Sequence, residues 1–183
     1  TVEASEAEIT RFYADPDTGW DTLFVLQILV VATAGFLWFI GVIRNRIGTN
    51  IPRLFDTVFS GGGILYAGLL FVGAGALAAP FMLAEFGGMD VEAGSAAMAR
   101  SFARVILAVF VPRVAALVVL STSTLGLRTG VLPRWLVFAG YLTGIAMVLN
   151  VTFFSPSVYA FPGWIAVVSI VLLIRRPQRM QPE

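Results

Sequence analysis

Arg113 stands in the middle of the apolar run 103–125, directly after Pro112. It is a fixed positive charge, and at mid-bilayer depth such a charge costs from about 2.5 to over 10 kcal/mol unless something answers it. Two chemistries suit it. Either the guanidinium clamps helices by donating to carbonyls and amides, or it holds an anionic ligand or a partner's carboxylate. No carboxylate falls within any of the five apolar segments of the chain, so an intramembrane ion pair within the chain is not expected. The candidate internal partners are the amides of Gln27 and Asn150, the Tyr66 hydroxyl and the carbonyl that Pro112, lacking an N–H, leaves free about one turn earlier. At about 1.5 Å of rise per residue, Tyr66 falls near mid-depth, and Gln27 and Asn150 share one half of the apolar layer. Arg113, Asn150, Gln27 and Tyr66 are therefore the candidate ligand or partner contacts.

Ser121, Thr122, Ser123 and Thr124 form a second polar group. Such hydroxyls either line a passage or bond carbonyls of their own helix. Other chemistries are closed off by what the chain lacks. It has no His and no Cys, and all twelve of its basic residues are Arg. That removes thiolate nucleophiles, disulfides and Cys-based metal or iron–sulfur sites. It also removes bis-histidine haem ligation, the usual general base near neutral pH, and Schiff-base chemistry. No cofactor and no metal site is expected, and an enzyme is disfavoured because the carboxylates sit in loops. A loop pair such as Asp90 and Glu92 holding a metal would reverse that judgement. The Arg residues are scattered between segments and form no basic stripe, which argues against nucleic acid.

The elements that must position these residues are read from hydropathy. The 183 residues are 58% hydrophobic and 13% charged, about half the charged share of an ordinary soluble domain. Five apolar segments, 22–43, 57–83, 103–125, 135–154 and 158–174, approach the roughly 20 residues that a helix needs to cross hydrocarbon. The expected fold is an all-α polytopic membrane bundle of five transmembrane helices. The fifth segment is the shortest, with Pro156 and Pro162 at its entry, and a re-entrant hairpin is its alternative.

Arg44, Arg46 and Arg53 lie between the first two segments, Arg128 and Arg134 between the third and fourth, and Arg175, Arg176 and Arg179 after the fifth. The other side carries Glu3, Glu6, Glu8, Asp15, Asp17, Asp21, Glu85, Asp90 and Glu92, with Arg11 and Arg100 as its basic members. Because cytoplasmic loops are Arg-rich, the N-terminus is expected outside and the C-terminus in the cytoplasm. Residues 1–21 then form an extracytoplasmic amphipathic segment. Ser5 and Glu8 have capping-box spacing there, and Ile9, Phe12 and Tyr13 share a helical face. Residues 175–183 form a basic cytoplasmic tail. Residues 85–98 read as an acidic loop followed by an outward extension of the third helix.

Small residues mark the helix-packing faces. Gly63 with Ala67, Gly75 with Ala79 and Gly140 with Gly144 have the four-residue spacing that lets helix backbones approach closely in lipid. Packing within this chain is the simpler use of these faces, and contact with a second copy or a larger complex is the alternative. In LRTGVLPRWL, Gly130 suits a helix end, Pro133 a first helical position and Trp135 an interface.

A first span ending FLWFIGVIR, the glycine-rich second span and LRTGVLPRWLVFAG, together with the acidic start, carry a likeness. The chain resembles a group of small, uncharacterised integral membrane proteins of actinobacteria. The resemblance covers most of the chain, implies a bacterial plasma membrane and supplies no catalytic residues. The expected function is a non-catalytic accessory subunit of a larger bacterial membrane or envelope complex, embedded in membrane lipid. The alternative is a lipid- or small-anion-binding transport protein with a polar site around Arg113.

Overall fold

Each apolar segment contributes a helix, and the first three helices outrun the segments that predict them. The computed structural model describes residues 16–47, 53–88, 91–149 and 157–174. Among these, five helices follow one another: α1, Pro16–Ile47; α2, Arg53–Gly87; α3, Ala93–Thr129; α4, Arg134–Leu149; and α5, Ser157–Ile174. No strand occurs among the described residues. α1, α2 and α3 are each long and apolar enough to cross a membrane, whereas α4 and α5 are shorter apolar helices. Three such helices mark a membrane protein. Asn150, Asp90, the basic tail and all of the N-terminal segment before α1 lie outside the described residues.

The ends of these helices follow local rules. Gly88 (φ 58°) and Gly130 (φ 69°) stop α2 and α3 in the left-handed conformation that a Cβ disfavours. Pro133 sits one residue earlier than the first helical position expected of it. Its carbonyl accepts the N–H of Leu136 at 3.0 Å and of Val137 at 3.2 Å, which makes it the cap of α4. α3 starts well before its apolar run, with the Glu92 carbonyl accepting the Ala96 N–H at 3.1 Å and the Ser95 hydroxyl at 2.8 Å. Pro162 stands inside α5, past its entry.

Pro112 disturbs α3 in a specific way. Ile106–Phe110 form a π-helical turn just before it, closed by the Val111 N–H donating to the Ile106 carbonyl. A proline ring clashes with the carbonyl four residues earlier and offers that carbonyl no donor. Widening the turn relieves the clash within a helix that runs on to Thr129.

The chain divides into two compact units, one of Thr1–Leu37 and Leu65–Val111, the other of Trp38–Ile64 and Pro112–Glu183. In the first, Gly73 of α2 admits Ile106 and Leu107 of α3, and a Cβ there would come 3.3 Å from Ile106 and closer still to Leu107. Phe81, Val91 and Ala96 form a small buried cluster flanked by Met82 and Ala84.

In the second unit α3 is the core. Ala115, Ala116, Val118, Val119 and Leu125 are at most 1% exposed. α2 meets α3 at Gly62, where a Cβ would lie 3.3 Å from Val118, and Ile40 of α1 closes on Gly63 at 3.1 Å. α4 meets α3 at Gly140 and Gly144. A Cβ on Gly140 would collide with Ser123 Oγ, and one on Gly144 would lie 2.7 Å from Leu120. In the first unit, Ala67 is buried. Gly75 and Ala79 are exposed, and a Cβ on Gly75 would have nothing within 4 Å.

This contrast predicts opposite outcomes at two glycines. Gly140→Val should lose about 1–3 kcal/mol through overpacking. Gly75→Ala should be neutral or gain up to about 1 kcal/mol of helix propensity. Thermal unfolding of both variants in detergent tests this, and equal melting temperatures would reject the close α3–α4 approach.

Candidate functional site: the polar residues of the apolar helices

The hydroxyl run of α3 turns back on its own helix. Thr122 donates to the Val118 carbonyl at 2.7 Å, Ser123 to Val119 at 2.8 Å and Thr124 to Leu120 at 2.9 Å. Thr129 repeats the pattern, donating to Leu125 at 2.7 Å. A threonine hydroxyl has one proton, so the Tyr141 hydroxyl, 3.0 Å from Thr124 Oγ1, must be the donor in that pair. Thr122, Ser123 and Thr124 therefore have no proton left for a solute. The crevice beside them is lined by Ile43, Thr122, Gly126, Val131, Leu132 and Leu172, which offer it an almost wholly apolar wall. One donor nearby is unspent. The Nε1 of Trp164, a residue 6% exposed, has no hydrogen-bond partner among the described residues and lies 3.0 Å from where a Gly140 Cβ would stand.

The four residues singled out around Arg113 meet different environments. Arg113 is half-buried on α3, three residues past the π turn, in the second unit. Gln27 and Tyr66 belong to the first unit. Tyr66 is half-buried, its ring edge-on to Phe36 with centroids 5.1 Å apart. Gln27 is exposed on α1 among the exposed Phe24, Ile28, Val30 and Val31. Among the described residues it has no hydrogen-bond partner. Asn150 lies outside the described residues.

A polar cluster that the sequence reading passed over lies at the ends of the helices. Arg44 Nη2, in the last turn of α1, donates to Asp56 Oδ2 at 2.7 Å, the two side chains being 61% and 32% exposed. The Arg128 guanidinium, in the last turn of α3, lies 4.6 Å from the centroid of the Phe55 ring. A carboxylate in a first helical turn and arginines in last turns complement the helix dipoles, and that was the available signal. An ion pair this exposed contributes only about 0–1 kcal/mol. Glu85 and Glu92 are exposed, and among the described residues no group of three or more His, Cys, Asp or Glu side chains could hold a metal.

No protein-family model, curated protein or solved structure matches this chain.

The hydroxyl pair gives a directional test. Tyr141→Phe should cost about 0.5–1.5 kcal/mol, and Thr124→Val more, because it strands a half-buried phenol. Adding Tyr141→Phe to Thr124→Val should then cost nothing further. A double-mutant cycle on unfolding free energy checks this, and purely additive losses would refute the pairing.

Proposed function

We propose that the chain is a five-span bacterial plasma-membrane protein, N-terminus outside and C-terminus cytoplasmic. It serves there as a non-catalytic accessory subunit of a larger membrane or envelope complex. The observation that carries this reading is Gln27. An amide on an exposed apolar helix face, with no partner among the described residues, is costly in lipid and is relieved when a second helix bonds it. The exposed Gly75 and Ala79 of α2 offer a further place for close helix approach. The buried hydroxyls of α3 support a structural role, because their protons are already spent on carbonyls. The Arg residues at the α1–α2 and α3–α4 turns and after α5 support the orientation.

Affinity purification of the full chain in mild detergent should recover a partner reproducibly, and Gln27→Leu should lower its recovery several-fold while leaving the melting temperature of the isolated chain unchanged. Recovery of the isolated protein alone, from wild type and variant alike, would overturn the reading.

One observation favours a lipid- or small-anion-binding transport protein as the second reading. Arg113 directly follows Pro112 and lies three residues past a π turn, and π turns recur at functional sites. Native mass spectrometry of wild type and Arg113→Ala should then show an anion or lipid lost on substitution. Identical spectra would remove this reading.

A further inference from the structure

Two arginines from different helices converge on one turn of α2. Arg44 of α1 bonds Asp56, and Arg128 of α3 stacks on Phe55, the residue immediately before it. A guanidinium offers five N–H donors in a rigid plane. Arg44 spends one on Asp56 and, with its side chain 61% exposed, presents the rest outward. Arg128 is exposed and lies over a ring face, a contact that consumes none of its N–H groups. Among the described residues no carboxylate pairs with it.

The charge balance of this unit is one-sided. Its described residues carry Arg44, Arg46, Arg53, Arg113, Arg128 and Arg134 against Asp56 alone. Donors held in place amid excess positive charge suit a phosphate oxygen. The surroundings decide which phosphate. Leu54, next to Phe55, is 69% exposed, and Leu127, next to Arg128, is 47% exposed. Apolar side chains exposed beside fixed guanidiniums match a molecule with a phosphate head and hydrocarbon tails.

We propose that the first turn of α2 is a binding site for the headgroup phosphate of an anionic phospholipid, with Arg44 and Arg128 as its donors. Phe55 seats the Arg128 guanidinium, while Asp56 takes one N–H of Arg44 and competes with the phosphate for the others. The inference rests on the reading of α1, α2 and α3 as membrane-spanning, and it concerns a different place from Arg113.

The test uses the full chain in mild detergent, with native mass spectrometry after addition of phosphatidylglycerol or phosphatidylcholine. Phosphatidylglycerol should be retained in preference. Arg44→Gln and Arg128→Gln should each lower its retention about fivefold, the effect expected of one surface arginine. Asp56→Asn should raise it by removing the competing carboxylate. Arg104→Gln, on the exposed part of α3 in the other unit, should leave it unchanged. Thermal unfolding of every variant separates lost binding from lost folding. If Arg44→Gln does not fold, Arg128→Gln and Asp56→Asn carry the test. Equal retention of the two lipids, an equal loss in Arg104→Gln, or displacement by millimolar inorganic phosphate would each overturn the site. Release of the chain from membranes by alkaline carbonate would instead overturn the membrane-spanning reading beneath it.

Discussion

A hydroxyl bonded to the carbonyl four residues before it is the interaction on which the core of the second unit depends. Thr122, Ser123 and Thr124 all make it, so α3 presents a surface to its neighbours that is chemically almost apolar. Without it, three polar groups would be buried and unsatisfied, each at a cost of roughly 1–3 kcal/mol. With it, glycines on α4 can press directly against the hydroxyl-bearing turn. Because Thr124 commits its proton to the Leu120 carbonyl, the Tyr141 phenol meets it as the donor, on a Thr124 lone pair. Packing at Gly140 and Gly144 follows from the same economy of space.

The helices were legible because their signal is thermodynamic and one-dimensional. Runs of apolar residues long enough for a membrane become helices, since backbone groups must bond within the segment. The ends were less legible. α2 starts at Arg53 and α3 at Ala93, beyond the apolar runs, because capping and helix propensity continue where hydropathy stops. Pro112 announces a freed carbonyl about one turn earlier, but not the π turn that precedes it in the helix.

The polar residues show where one-dimensional reading fails. Depth along a helix can be counted, so Arg113, Gln27 and Tyr66 could be placed by height. The direction in which each points depends on which neighbours cover it. Tyr66 turns to Phe36 while Gln27 faces outward, although hydropathy treats both as polar insertions. Small-residue spacing has the same blindness. Gly63 is closed by Ile40, yet Gly75, with equally good spacing, is open. Gly73, which admits Leu107, has Leu69 and Leu77 four residues to either side and so lacks the small-residue spacing altogether. Asp56 escaped because an acidic residue in a basic loop looks incidental until Arg44 is seen across from it.

The contact between Ser123 and Gly140 leaves its own evolutionary signature. The space that a hydrogen occupies on Gly140 is bounded by the Ser123 hydroxyl and the Trp164 indole nitrogen. In any relative that keeps this helix crossing, a larger residue at position 140 requires a smaller one at 123, and the two positions must vary as a pair. Position 75, where a Cβ would meet nothing within 4 Å among the described residues, is under no such bond.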